Sequence, residues 1–254
     1  IQSAKQKLKD RIDSTFLPAD FEYYSDMSEK SMNIIKKFAD VFEYVGRDEA
    51  YLDVSKKAEQ DFTKASHIAQ QIKNEVRKKT KLTCSVGISP NKLLSKIASG
   101  YKKPDGLTTI TPDKISEFIE TLNLRDIHGI GKKTQQKLAE EGIETISQTK
   151  SLDIFALISM FGRKAGTYIH NAIRGIDDEP VKIRAPTLQF SKITTLKEDS
   201  VDYTFLEKTI LELCERLHLS ILKENKMFRS VGIHLTQTDL SSKTRSRMLR
   251  NPTF

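Results

Sequence analysis

Asp48 and Glu49 are adjacent acids, set after Gly46-Arg47 and ahead of the apolar alternation Ala50-Tyr51-Leu52-Asp53-Val54-Ser55. Neighbouring carboxylates repel each other. Two divalent cations roughly 3.5–4 Å apart would turn that repulsion into coordination, and hard carboxylate and phosphate oxygens suit Mg²⁺, with Mn²⁺ as a substitute. Strand neighbours point to opposite faces, but at a hairpin turn both acids reach one spot beyond the strand end. A solvated acidic turn is the alternative reading of the same dipeptide.

Three further clusters could do chemistry. In Asp126–Ile143, Gly129-Ile130-Gly131 lies between two helical patterns, and Lys132 and Lys133 fall in the first turn of the second. Glycines allow a tight hairpin and close approach of backbone N–H groups to a phosphate, and a helix N-terminus favours an anion. This is the pattern of a helix-hairpin-helix that grips the DNA backbone without reading bases; a Gly-rich turn between packed helices is the plainer reading. In Ser95–Gly106, Lys96, Lys102 and Lys103 are offset only by Asp105. A Lys held by the following Pro104 could clamp a triphosphate as a point charge, or the loop could simply be solvated. Lys243, Arg245 and Arg247 alternate, so on a strand all three face one way, toward a phosphate backbone or as an edge made basic against aggregation.

The elements that must position these residues follow from hydrophobic period. Short helices are expected over 3–12 and 22–39, the second carrying Met27, Met32, Ile35 and Phe38. A strand at 41–45, a turn at Gly46-Arg47 and a return strand at 49–55 make a hairpin. A helix at 58–79 carries Phe62, Ala65, Ile68, Ile72 and Val76 on one stripe, a strand follows at 82–89, and a helix runs from Pro90 to near Gly100. This predicts an α+β sheet, antiparallel or mixed, with helices on one face. Short helices at 113–121, 132–140, 147–149, 153–159 and 163–174 predict a small all-α domain. Residues 177–187, with two prolines and mixed charge, read as a linker. A strand at 188–196, a helix at 202–224 with Leu206, Ile210, Leu213, Leu217 and Ile221 on one face, and a strand at 229–240 predict a third, α/β domain. No internal repeat is read.

The 254 residues suffice for more than one domain. They carry 42 Lys plus Arg against 34 Asp plus Glu, a net +8 that favours polyanionic partners, nucleic acid above all. From residue 181 onward, 13 Lys plus Arg face 8 Asp plus Glu, so most of the excess sits in under a third of the length. No apolar run approaches the roughly 18 residues that span a bilayer. The two cysteines, Cys84 and Cys214, form no CxxC motif and sit in apolar patterns, which predicts core positions in a reducing, cytoplasmic compartment. The five histidines show no metal spacing.

The motifs together, "DEAYLDVS", "SVGISPNKLLSKIASGYKKPDG" and "HGIGKKTQQKL", resemble in order and spacing the Y-family translesion DNA polymerases, in the DinB or polymerase IV branch. The resemblance runs through almost the whole chain. It implies the end of the fingers at 1–15, a palm at 16–106, a thumb with helix-hairpin-helix at 107–176, a linker at 177–187 and a little finger at 188–254. It implies template-directed, low-fidelity synthesis on primer–template DNA from deoxynucleoside triphosphates, with two Mg²⁺ ions. Asp48 would bridge the ions, Glu49 would hold the one that activates the primer 3′ hydroxyl, Lys103 would touch the triphosphate, and Gly129, Gly131, Lys132 and Lys133 would track the duplex backbone. Asp53 reads as a structural acid.

The sequence departs from the family at Gly46-Arg47, where Ser-x is usual, and at His128, where Pro is common. Arg47 could lower the pKa of the acids or compete with a metal. The chain begins at Ile1 rather than Met. By the resemblance, the first catalytic Asp, the sugar-discriminating aromatic and most of the fingers would precede it, while the last strands of the little finger and any sliding-clamp peptide would follow Phe254. The expectation is an inactive piece of an active polymerase. A non-catalytic DNA-binding protein that keeps the hairpin and the basic last domain is the rival reading.

Overall fold

The computed structural model describes residues 2–9, 11, 13–183 and 188–254, and the chain divides into two compact units, Ile1–Arg184 and Ala185–Phe254. In the first unit a short helix α1 (Gln2–Lys7) precedes α2 (Phe21–Lys36), where Asp20 caps by accepting from the Tyr23 N–H at 3.0 Å. Strands β1 (Val41–Gly46) and β2 (Glu49–Asp53) then pair antiparallel, with a register shift between Tyr44 and Gly46. Helix α3 (Phe62–Thr80) starts at Asp61, whose carboxylate accepts from the N–H groups of Thr63 and Lys64. Strand β3 (Val86–Ile88), helix α4 (Lys92–Tyr101, capped by Asn91) and strand β4 (Leu107–Thr109) complete a βαβ turn in which β3 and β4 are parallel.

The helical region comprises a 3₁₀ turn (Pro112–Lys114) leading into α5 (Ile115–Glu120), a second 3₁₀ turn (Leu124–Asp126), α6 (Lys132–Glu140), α7 (Ile146–Ser151) and α8 (Ile154–Ala172). Its core is continuous with α4: Leu94, Ile119, Leu124, Ile127, Leu138, Leu157 and Ile173 are all at most 2% exposed and pack in one cluster. A smaller cluster of Ile34, Ile72 and Val76, with Leu52 and Cys84 against it, joins α2 and α3 to the hairpin. The second unit holds α9 (Tyr203–Lys223) and a two-stranded antiparallel ribbon of β5 (Phe228–Thr236) and β6 (Ser242–Thr253).

The α+β class stands, and several expected boundaries move. The first helix ends at Lys7 rather than 12, α2 ends at Lys36, and α3 begins at 62 because the Asp61 cap stops it there. The strand expected over 82–89 shrinks to Val86–Ile88, where β4 offers a partner; three-residue β4 itself was not read from sequence. The strand expected at 188–196 is absent: those residues pair with nothing in a sheet, and Leu188 and Ile193 are 95% and 86% exposed. A strand needs a ladder partner to satisfy its backbone. Of the two cysteines expected in the core, Cys84 is only half-buried against the smaller cluster and Cys214 is exposed, because the α9 stripe that is covered runs through Leu206, Ile210, Leu213, Leu217 and Ile221 and passes it by. Of the linker, residues 177–183 belong to no helix or strand and 184–187 lie outside the described residues.

Candidate active site and nucleic-acid interface

Arg47 and Asp48 form the two-residue turn between β1 and β2, and Glu49 opens β2 opposite Gly46. The turn is tied down from two sides. Ser28 on α2 donates its hydroxyl to the Arg47 carbonyl, and Lys96 on α4 forms an ion pair with Glu49. Asp48 is exposed and Glu49 half-exposed, at 42% of its side chain. The Arg47 guanidinium lies 5.5 Å from the Phe21 ring centroid, so it rests on the start of α2. Behind the turn, Lys92 bonds Glu43 at 2.9 and 3.0 Å and stands 4.9 Å over the Tyr51 ring. Burial first, and then the charges of Glu49 and Glu43, push the Tyr51 hydroxyl above its ordinary pKa. Hydrogen bonds from Ser55, its side chain first and then its N–H at 2.8 Å, hold the Asp53 carboxyl below its ordinary pKa.

Lys96 and Lys103 share one positioning element. Helix α4 rises about 1.5 Å per residue, so the loop bearing Lys102 and Lys103 leaves it roughly 9 Å along the axis from Lys96. Asn91 fixes the helix start by accepting from the Leu94 N–H at 3.0 Å. Lys102 and Lys103 are exposed. Asp105 is not their offset: its carboxylate is taken by Lys73, and Arg77 approaches it at 3.5 Å. That pairing holds the Asp105 carboxyl below its ordinary pKa. Among the described residues no group of three or more His, Cys, Asp or Glu is placed to hold a metal ion.

The glycine hairpin forms as read, although the helix before it is only the 3₁₀ turn Leu124–Asp126, closed by a capping box with Asn123. Gly129 has φ +89°, and an added Cβ there would stand 2.7 Å from Tyr168 Cε1. The Tyr168 hydroxyl donates to the His128 carbonyl, so the hairpin rests on α8. Gly131 caps α6, and Lys132 and Lys133 stand exposed in its first turn. The sequence reading missed an echo of this arrangement. Gly162, with φ +79°, divides α8, and Arg163 and Lys164 follow it exposed. The recurrence of Gly-cation-cation at the start of a helix was the available signal.

In the other unit Lys243, Arg245 and Arg247 lie on β6 and face one way. Their cross-strand partners are Leu235, Ile233 and Val231, so the cations share their face with apolar residues. The hairpin and α4 thus join Glu49 to Lys96, the Lys102–Lys103 loop follows the C-terminal end of that helix, and the Gly129–Lys133 turn belongs to the helical region of the same unit.

Three family profiles match the chain: the impB/mucB/samB family over residues 1–100, the DNA polymerase-iota thumb domain over 125–177, and the impB/mucB/samB family C-terminal domain over 188–254. DNA polymerase IV of Nitrosopumilus maritimus is 63% identical over 251 residues, covering 99% of this chain and 69% of that protein. Among solved structures, a Y-family DNA polymerase chimera of Dbh and Dpo4 superposes with a TM-score of 0.88 at 26% identity, over 99% of this chain and 71% of that one. An insertion ternary complex of Dbh DNA polymerase gives 0.71 at 26% identity, over 100% and 72%. These likenesses define the class as DNA-directed DNA polymerase. The chain belongs to the Y-family, in its DNA polymerase IV or DinB-like branch. No helix among the described residues is long and apolar enough to cross a membrane.

Proposed function

We propose that the protein containing this chain carries out template-directed, low-fidelity DNA synthesis across damaged template, in DNA repair and replication in the cytoplasm. One observation carries the reading: the Asp48–Glu49 pair stands at the mouth of a hairpin and is tied through Lys96 to the helix that delivers Lys103. The reaction joins the primer 3′ oxygen to the α-phosphorus of a deoxynucleoside triphosphate and releases pyrophosphate, so negative charge must be met at a fixed point. The donor chemistry fits Mg²⁺, because both acids offer hard anionic oxygens from adjacent residues. Asp48 and Glu49 would hold the divalent ions. Bound divalent ions would neutralise the triphosphate and ease loss of the 3′ hydroxyl proton. Two adjacent carboxylates are fewer oxygen ligands than Mg²⁺ takes, so by themselves they would hold metal weakly.

The rest of the chain's work is positioning. Lys103 contacts the triphosphate as a point charge. Backbone N–H groups at Gly129 and Gly131, with Lys132 and Lys133, hold duplex phosphates without reading sequence. Lys243, Arg245 and Arg247 add a second cationic surface for primer–template DNA. In the family's terms, 1–15 ends the fingers, 16–106 is palm, 107–176 thumb, 177–187 linker and 188–254 little finger. The test is primer extension by full-length protein carrying Asp48→Ala, for which the expected loss is at least about a thousandfold. Extension at the wild-type rate would refute the assignment.

A further inference from the structure

Lys73 lies on α3 between Ile72 and Val76 and is only 9% exposed. A buried ammonium is costly unless oxygen atoms surround it. Here its three N–H donors meet four acceptors: the Cys84 carbonyl at 2.7 Å, the Asp105 carbonyl at 2.8 Å, the Gly106 carbonyl at 3.3 Å and the Asp105 carboxylate. Three of the four belong to the loop that carries Lys103. The same loop end is held by the Ser85 hydroxyl, which accepts from the Gly106 N–H at 3.1 Å, and by the Val86 N–H, which donates to the Gly106 carbonyl at 3.0 Å. Asp105 has φ +57°, a left-handed conformation that a non-glycine residue keeps only when its surroundings enforce it.

The loop is therefore fixed at both ends. Helix α4 ends at Tyr101, and the Lys73 cluster begins at Asp105. Only Lys102, Lys103 and Pro104 lie between, all exposed, and Pro104 restricts its own φ. An apolar residue at 73 would have continued the α3 stripe at no desolvation cost. A buried charge is weak evidence for stability and better evidence for fixing one arrangement. Arg77 also approaches Asp105, but from a side chain 69% exposed, where its pull is screened.

We infer that Lys73 is a positioning residue for nucleotide binding: from α3 it fixes the Lys102–Gly106 loop and so sets where Lys103 meets the triphosphate. This rests on the reading of Lys103 given above, and two independent measurements separate the two claims. In full-length protein, Lys73→Met keeps the apolar stem and removes the ammonium. The Gly106 and Val86 amides should then exchange with solvent at least about tenfold faster, with the α6 amides unchanged. Unchanged exchange at Gly106 would overturn the clamp whether or not the protein polymerises. In steady-state primer extension, the KM for dATP should rise about tenfold in Lys73→Met, with kcat altered much less. In a Lys103→Ala background the same substitution should add nothing to KM. Multiplying effects in the double variant would show that Lys73 acts on stability alone and would overturn the inference, as would an unchanged KM. If Lys73→Met fails to fold, Asp105→Asn, which keeps shape and removes the carboxylate partner, is read by the same exchange and kinetic criteria. A wild-type protein that extends no primer would defeat the polymerase reading and leave the exchange result to decide the clamp.

Discussion

Lys96 on α4 and Glu49 at the start of β2 form an ion pair between residues 47 apart in sequence. The pair joins the hairpin that presents the acids to the helix that presents Lys103. It also places an ammonium where a divalent ion would otherwise meet the carboxylate.

Lys96→Met should therefore tighten Mn²⁺ binding at the acid pair, by at most about fivefold, because the two side chains are 32% and 42% exposed and such pairs contribute little. Electron paramagnetic resonance titration of free Mn²⁺ in the full-length protein measures this. Weaker binding in the variant would show that the lysine organises the carboxylates rather than competing for them.

Gly129 and Gly131 should answer differently to the same change. Alanine at 129 meets a left-handed φ of +89° and the Tyr168 ring, and should cost about 1–3 kcal/mol, seen as a lowered melting temperature. At Gly131 φ is −87° and the space is open, so alanine should leave the melt nearly unchanged. Equal effects would mean that the hairpin does not rest on Tyr168.

Lys132 and Lys133 should each contribute one phosphate contact. Replacing both with alanine should reduce the slope of log K against log salt by about 1.8 on duplex DNA. The loss should be alike on unrelated sequences, since backbone contacts carry no base information. A slope equal to wild type in fluorescence-anisotropy titrations would remove them from the interface.

Asp105 gives an acid-side prediction. Its folded pKa lies below the ordinary 3.8 because Lys73 bonds its ionised form. The contribution is therefore complete above the unfolded pKa and is lost as pH falls through the lower folded value. Asp105→Asn should be less stable than wild type near neutral pH, and the gap should close on acidification below about pH 4. Urea melts across that range test it, and a gap that widens at low pH would reverse the sign.

The acid pair, the hairpin that carries it and the Gly129–Lys133 turn were legible in sequence because each depends on neighbours within a few residues. The same holds for α6, whose bounds at 132 and 140 follow from a glycine cap and an apolar period. What sequence did not yield depends on distant partners. Lys96 was visible as a cation near Lys103, but nothing local said that it would find Glu49. Lys73 broke the α3 stripe without announcing the four oxygens that make it tolerable. Residues 188–196 alternate like a strand and have no ladder to join. Cys214 lay in an apolar run, yet the period turns it to solvent.

The ribbon in the second unit sets each of three cations beside an aliphatic neighbour: Lys243 by Leu235, Arg245 by Ile233, Arg247 by Val231. Val231 and Leu235 are 45% and 52% exposed, so the oily half of two of these couples is open to a visitor as well. A polyanion laid on that face loses its ionic attraction as electrolyte is added, while dehydration of the aliphatic half strengthens under excluded salts such as sulfate. Such a surface would grip by two forces that respond to salt in opposite directions. Its hold should level off at high sulfate where a purely ionic face would let go.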